Sequence, residues 1–527
     1  MPYLIGLLFL ATMVLVVFSW LKVRYVFSWF WAIFVCTVVW GGMLALGGRV
    51  PAEVPLFVWE EIGVESPELL LDAISWPFAL AVCAIALGVV LTSAQRLADT
   101  ETTQKEGGDS EPLPGQDDWR NLAAILAMTA FGLLGVLAGN PLTLLLAWAG
   151  GDLLGLWVLL RRIIGREESE RLVLDFSARV AGILLLIWAM VTARTEGDLL
   201  QFDRIPAGVN VYLLLVCGFR LGVLPLQIYF LRELPLRRGL GTMARMTMPV
   251  AASLVLLVRI ASTMVPSRLD LPLLGLTAFA GLYGSFYWLA AKNEVEGRSF
   301  WVLGMGSLAV ASAILGEPMA VAAWGLALLL AGGGLFLFSA RSRGMRVLMG
   351  INLWMITALP GTPSAMGMGL FTGEFEWFWV PFLLIHGLLL AGYARHVWQD
   401  GERGQVSVRA VRAAYTFGLL ILPGTLFLVG GNSLGMLSDA WWASSVGVGL
   451  AALMGVWAWR GGRLPMVARR VFSFHWFYRL LWRGYRLLGG GVTFFSMLLE
   501  GEAGVLWTLL ILSLLLSLIT TQVGLGG

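Results

Sequence analysis

The chain has 527 residues, of which 58% are hydrophobic and 13% are charged, and its mean hydropathy is +0.81. A soluble domain with this balance would have an apolar surface, so the composition excludes that class and indicates a membrane protein. The net charge of +3 is too small to indicate a nucleic-acid partner.

Apolar runs of about 20 residues, the length that crosses a bilayer as a helix, recur along the whole chain. The runs are continuous and do not alternate with polar residues, which excludes a β-barrel. The first run has no basic start and no small-residue cleavage site, so we interpret it as a retained helix and not as a signal peptide. In chain order the predicted helices cover residues 3–20, 25–47, 72–93, 121–138, 141–160, 172–193, 208–231, 244–264, 271–291, 299–316, 318–340, 347–361, 372–394, 412–430, 438–459 and 505–524.

These runs predict an all-α polytopic membrane protein with about 14–16 transmembrane helices. We divide the chain into five parts along the pattern. They are N-terminal helices with a polar cytoplasmic loop (1–120), a first half-bundle (121–265), a second half-bundle with additional helices (266–459), a basic amphipathic segment (460–504) and a C-terminal helix (505–527).

Basic residues follow the first, fifth, seventh and eleventh predicted helices, whereas the loop at 48–71 is rich in glutamate. The positive-inside rule then predicts an outside N-terminus and basic loops in the cytoplasm. We expect a multi-pass protein of a bacterial or archaeal cytoplasmic membrane.

The stretch 460–490 holds seven arginines and no acidic residue. Arg479, Arg483 and Arg486 recur at helical spacing, with aromatic residues between them. This pattern is typical of a helix that lies on the membrane surface and binds anionic lipid. Docking along a neighbouring subunit is the alternative interpretation.

The residues that usually bind cofactors are sparse. Each of the three cysteines lies alone in an apolar run, which gives no CxxC ligand set. The histidines His386, His396 and His475 lack the facing pairs that haem ligation needs. The chain has neither the glycine pattern of a dinucleotide site nor a Walker motif. We therefore predict no cofactor and no metal.

Charges inside transmembrane spans are costly, and they mark functional or paired positions. We take four of them as candidates for an ion path: Asp152, Arg220, Arg245 and Glu374. A static buried ion pair that fixes helix packing is the alternative for Asp152 and Arg220. Helix packing also explains Arg179 and Arg259.

Two helix breakers lie near these charges. Pro225 lacks an amide hydrogen and clashes with the preceding turn, so it predicts a break in the seventh helix near 221–225. Pro360 and Gly361 predict a second break, in the twelfth helix near 359–371. Broken helices at membrane depth are a recurring device for ion binding in transporters, and two of them suggest two related, inverted half-bundles.

The stretch PLQIYFLRELPLRRGLGTMARMTMPVAASLVLLVR (225–259) resembles the broken seventh helix and the eighth helix of the antiporter-like membrane subunits. Respiratory complex I (NADH:quinone oxidoreductase), membrane-bound hydrogenases and Mrp-type cation/proton antiporters share these subunits. LDAISWPF (71–78), AGNPLTLLLAW…DLLGL (138–156) and LPGT…FTGEF (359–375) resemble further motifs of the family, in the same order.

The resemblance implies a glutamate on the fifth helix, a lysine on the seventh and an ionisable group on the broken twelfth helix, which together control proton or sodium movement. The family lysine falls at Arg220, which keeps its proton and is a poor shuttle. The family glutamate falls at Ala149 or at Asp152, depending on the motif used as anchor. A family histidine falls at Gln227 and another at Arg245, while Glu374 matches the acid of the twelfth-helix motif.

The resemblance therefore implies a proton- or cation-translocating subunit of a larger membrane complex of the complex I or Mrp type. Such a subunit carries no redox centre, and its partners are other membrane subunits and protons or Na⁺. One alternative is a degenerate, non-pumping scaffold of the same fold. Another is an energy-coupling subunit of an inorganic-carbon uptake complex.

Overall fold

The computed structural model describes part of the first of two compact units, Met1–Pro465. The predicted basic segment, from residue 462 onward, and the predicted helix at 505–524 lie outside the described residues. The five domain boundaries stay a prediction. The described residues are 1–56, 66–94, 118–161, 166–197, 199–227, 236, 238–263, 268–373, 376–399, 409–431 and 440–461.

The described part of the chain is a succession of helices, which confirms the predicted all-α membrane fold. Twelve of these helices are long and apolar enough to cross a membrane. The helices are α1 (Pro2–Trp20), α2 (Tyr25–Leu46), α3 (Ser75–Thr92), α4 (Asp118–Val136), α5 (Pro141–Leu160), α6 (Arg166–Thr195), α7 (Asn210–Leu221), α8 (Arg238–Thr263), α9 (Asp270–Ala290), α10 (Glu294–Ile314), α11 (Pro318–Leu337), α12 (Arg343–Met355), α13 (Trp379–Trp398), α14 (Arg409–Gly430) and α15 (Trp441–Gly461).

Side-chain caps set where several helices begin. Asn140 accepts a hydrogen bond from the amide of Thr143 at 3.0 Å and precedes Pro141, so α5 begins with a cap and a proline in its first turn. Asn293 caps α10 in the same way through the amide of Glu296, at 2.8 Å. These caps fix the register of α5 and α10, and both helices carry buried acids.

The loop between α2 and α3 contains a short hairpin that the hydropathy pattern does not reveal. Strand β1 (Ala52–Pro55) pairs antiparallel with β2 (Glu68–Leu71). As a result α3 begins at Ser75, three residues later than predicted. The carboxylate of Asp72 accepts hydrogen bonds from the amides of Ile74 and Ser75 at this start.

The seventh helix is interrupted as predicted, and Gly222 sets the position of the break. The amide of Val223 donates to the carbonyl of Gly218 at 2.9 Å, and the amide of Gly222 donates to that of Phe219 at 3.2 Å. With Gly222 at φ +75°, these bonds form the glycine cap that ends helices. Pro225 follows three residues later, and it has no amide hydrogen to continue the hydrogen-bond pattern of α7.

The twelfth helix is interrupted as well. α12 ends at Met355, and a turn with Ala358 at φ 55° and Gly361 at φ +81° follows. The chain then forms a 3₁₀ helix, Ala365–Phe371. Because a residue before proline avoids the helical region, Pro360 keeps α12 from continuing through this stretch.

The core of the described bundle lies around α3, α8, α10 and α11, which are almost completely enclosed, whereas α1 and α2 expose most of their surface. α3 and α14 approach closely because each presents a glycine to the other. A Cβ on Gly418 would lie 2.8 Å from the Cβ of Leu91 and 3.2 Å from the carbonyl oxygen of Gly88. Small residues permit such close packing between membrane helices.

We therefore expect Gly418→Leu to separate α3 from α14 and to lower the free energy of unfolding by about 1–3 kcal/mol, the usual cost of overpacking. The matched control is Gly424→Leu on the same helix, where an added Cβ meets no atom within 4 Å. Thermal unfolding in detergent would measure both variants. Equal melting temperatures for the two would contradict the close contact.

Candidate functional site

The seventh helix ends on a buried ion pair. Arg220 lies in the last turn of α7 and binds Asp152 of α5 with both ends of its guanidinium group. The Nη1–Oδ2 distance is 2.8 Å and the Nη2–Oδ1 distance is 3.1 Å. Arg220 is 1% exposed and Asp152 is 2% exposed, so solvent does not screen the pair. This two-pronged geometry is the strongest arrangement of arginine with a carboxylate.

The pair continues into a larger set of charges from α6 and α8. Arg179 lies 3.4 Å from Asp152 and 2.9 Å from Asp175, and Arg245 lies 3.6 Å from the other oxygen of Asp175. Arginine and aspartate thus alternate along one chain, which we call the central ion-pair network: Arg220, Asp152, Arg179, Asp175 and Arg245. Three arginines and two aspartates give it a formal charge of +1.

Three neighbours of Arg220 explain how a permanent cation is accommodated there. The carbonyl ends of α7 carry partial negative charge, which favours a cation in the last turn. The guanidinium carbon lies 4.1 Å from the ring centre of Trp148, within range of a cation–π interaction. Gly182 leaves room for the side chain, because a Cβ there would lie 3.2 Å from Cγ of Arg220.

The backbone of α8 changes its winding at the network. Met243–Thr247 form a π-helical turn with Arg245 at its centre. A π turn inserts an extra residue into a helix and is frequent at functional sites. It shifts the faces of α8 relative to each other, so that Arg238 and Arg245 meet different acids.

A second group of buried charges lies where α8 and α10 begin. Glu294, which is fully buried, binds Arg238 at 2.5 Å and Arg341 at 2.8 Å. Arg238 also donates to the carbonyl of Phe338, so the group joins α8, α10 and the connector after α11. We call Glu294, Arg238 and Arg341 the Glu294 cluster.

A third pair ties α3 to α8. Arg259 lies 3.0 Å from the carboxylate of Asp72 and donates to the carbonyl of Phe202 at 3.2 Å. The Asp72 carboxylate already caps the start of α3. This double use agrees with the packing role predicted for Arg259.

Three of the four predicted ion-path residues lie close together in the structure. Asp152, Arg220 and Arg245 belong to the same network, and Asp152, not Ala149, is the residue that meets Arg220. Glu374 lies outside the described residues, so its place relative to the second break stays a prediction.

The sequence gives little indication of the contacts of three buried groups, Asp175, Glu294 and His386. Asp175 precedes Arg179 by one helical turn, and this i,i+4 spacing is the signal that identifies such a pair. Glu294 follows the asparagine that caps α10, and this position in the sequence does not predict that its side chain is buried. His386 lies 3.4 Å from the carbonyl oxygen of Ile356 through Nε2, at the point where α12 breaks, and its ring centre is 5.2 Å from that of Trp324. His386 is an isolated histidine in an apolar run, and the sequence does not indicate these contacts.

The described residues contain no group of three or more histidine, cysteine, aspartate or glutamate side chains that could hold a metal ion. The cysteines are Cys36, Cys83 and Cys217, and each is buried and free.

We expect Asp152→Asn to lower the free energy of unfolding by about 3–5 kcal/mol, because it leaves Arg220 and Arg179 buried with one anion fewer. Asp152→Leu combined with Arg220→Leu removes one charge of each sign and should recover much of that loss. Thermal unfolding measures Asp152→Asn, the single variants Asp152→Leu and Arg220→Leu and their combination, with exposed Glu53→Gln as a control. If the double variant loses as much free energy of unfolding as its two single leucine variants together, the two residues are not coupled.

Neither the known family patterns nor the curated protein sequences give a match to this chain. Solved structures do match. A chain in the Mrp complex from Dietzia sp. DQ12-45-1b superposes with a TM-score of 0.72 at 14% sequence identity, over 98% of this chain and 63% of that one. This protein thus spans less than two thirds of the Mrp chain that it resembles.

A chain of respiratory complex I from Thermus thermophilus superposes with a TM-score of 0.50 at 15% identity, over 88% of this chain and 98% of that one. At such identities the likeness is one of fold. The protein is therefore a multi-pass membrane protein with the fold of the antiporter-like subunits of Mrp complexes and respiratory complex I.

Proposed function

We propose that this protein is an antiporter-like subunit of a multisubunit membrane complex and takes part in proton or cation translocation. The observation that carries the proposal is the network around Asp152, which Arg220 and Arg179 bind at the same time. It lies between the fifth, sixth and seventh helices of a fold found in two ion-translocating assemblies. The protein's own membrane would be a bacterial or archaeal cytoplasmic membrane, with the basic loops inside.

Arginine dictates how such a network works. A guanidinium group keeps its proton at any accessible pH, so Arg220 cannot release one to a neighbour. It can exchange partners instead. Arg179 already contacts both Asp152 and Asp175, so a small shift of this side chain changes which aspartate carries excess negative charge. Charge then moves along the network through re-pairing, and the aspartates are the groups that exchange protons or attract cations.

The network also has unused hydrogen-bonding capacity. Within the described residues, Nε of Arg179 and Nε of Arg220 are buried and donate no hydrogen bond. Buried donors of this kind usually bind ordered water. Hydration at these positions would provide the path along which a proton reaches Asp152.

A specific observation favours a second function, that of a non-pumping scaffold. All three cations of the network are arginines, and Asp152 is fixed by two hydrogen bonds from Arg220. Such a pair is well suited to hold α5 against α7 permanently. The scaffold interpretation and the translocation interpretation predict different behaviour in the assembled complex.

The test uses the parent complex, purified with this subunit and reconstituted into proteoliposomes. We expect Asp152→Asn to abolish proton or Na⁺ uptake while the complex still assembles. Arg220→Lys keeps the charge but loses the two-pronged contact, so it should lower uptake roughly ten-fold, the effect of about 1.4 kcal/mol.

Glu53→Gln, at an exposed position of β1, serves as the control and should leave uptake unchanged. Normal uptake per assembled complex in the Asp152→Asn variant would overturn the translocation role. Loss of assembly, with normal uptake by the few complexes that form, would establish the scaffold.

A further inference from the structure

Two exposed helix faces carry the same pattern of residues. On α12 the pattern begins with Arg343 and Arg346 and continues with Val347, Gly350, Ile351 and Trp354, which line one groove. On α14 a groove is lined by Arg409, Arg412, Ala413, Thr416, Phe417 and Leu420. In both helices the positions follow the same helical spacing, so each face has two arginines at its start and an apolar stripe below them. We call them the α12 groove and the α14 groove.

The two grooves open at the same level of the protein. The hydroxyl oxygen of Tyr415, in the second turn of α14, accepts hydrogen bonds from the amides of Ser339 and Ala340 at 2.7 and 3.1 Å. Ser339 and Ala340 lie just before α12. The starts of α12 and α14 are therefore adjacent.

The dimensions of each stripe match one leaflet of a bilayer. From Arg343 to Trp354, and from Arg409 to Leu420, a helix rises roughly 16 Å at about 1.5 Å per residue. Half of a hydrocarbon core is about 15 Å thick. Two arginines at the membrane surface with an apolar groove of this depth below them match a phosphate headgroup and an acyl chain in both charge and length.

The side chains around the α12 groove also suit a bound lipid. Trp398, at the end of α13, lines the same groove near the arginines and is 56% exposed, a position typical of the aromatic belt at a membrane surface. Val347 is 66% exposed and Ile351 is 43% exposed, so the apolar wall is open to a lipid chain. Gly350 deepens the groove, because an added Cβ there would meet no atom within 4 Å.

We propose that the α12 groove and the α14 groove each bind one anionic phospholipid of the leaflet at which these helices begin. The phosphate lies against the paired arginines, whose guanidinium groups match phosphate geometry. One acyl chain follows the apolar stripe. The two lipids would flank the helix that is broken near Pro360, and they would fix α12, the part before the break, in position.

The test reconstitutes the full chain in nanodiscs that contain phosphatidylcholine and phosphatidylglycerol, and counts the lipids retained on the released protein by native mass spectrometry. Each groove should contribute one molecule of phosphatidylglycerol, in preference to phosphatidylcholine, to the lipids that the unmodified chain retains. Arg343→Gln with Arg346→Gln should lose one of these two molecules, and Arg409→Gln with Arg412→Gln the other. Because each arginine near an anionic surface contributes about a five-fold preference, affinity at each groove should fall about thirty-fold.

Two controls keep the outcome specific. Lys22→Gln with Arg24→Gln removes the same charge from the turn between α1 and α2, which lines neither groove, and should retain both lipids. Gly350→Trp fills the α12 groove without a change of charge and should lose only the lipid of that groove. This second variant also separates lipid loss from any misfolding caused by the arginine substitutions.

Three results would overturn the proposal. The first is an unchanged lipid count in the arginine variants, and the second is equal retention of phosphatidylcholine and phosphatidylglycerol. The third concerns the assembled complex. A photo-crosslinker at Val347 that captures a neighbouring protein chain, and no lipid, would identify the groove as a subunit contact.

Discussion

A carboxylate buried between membrane helices needs a cation next to it, because bulk water does not stabilise its charge there. Much of this structure serves to place such cations beside Asp152. Arg220 supplies two hydrogen bonds, and α7 ends one residue beyond it. The partial negative charge of that helix end favours the same cation, and Trp148 lies on the face of its guanidinium group. The break in the seventh helix, which Gly222 caps, therefore lies directly beside the buried cation.

The network around this pair connects α5, α6, α7 and α8 through shared ion pairs. Each aspartate is shared between two arginines, so no member can move without changing the electrostatics of the next. In a low-dielectric interior such coupling is strong over several ångströms. At the position where the resemblance implies a titratable lysine, this chain has Arg220, the first member of an alternating series of three arginines and two aspartates. Under the proposed function, the carboxylates and not the cations are the groups that can gain or lose a proton.

Hydropathy predicts most of the helices because each must bury a continuous apolar surface in lipid. The structure agrees within a few residues for helices such as α5 and α11. Hydropathy does not predict the hairpin before α3, because its strands are too short to show an alternation of apolar and polar residues. The break at Gly222 was expected from Pro225, and the local glycine cap moved it upstream. Asp175 and His386 gain their importance only from partners that packing brings near, such as Arg245 and Ile356.

The helix α8 carries three arginines, and each pairs with an acid from a different part of the chain. Arg238 meets Glu294 of α10, Arg245 meets Asp175 of α6, and Arg259 meets Asp72 before α3. The π turn and Pro249 interrupt this segment, so its two halves are distinct along the helix axis. The half before Pro249 is tied to α10 and α6, and the half after it is tied to the start of α3. A movement of either half therefore changes a different set of ion pairs.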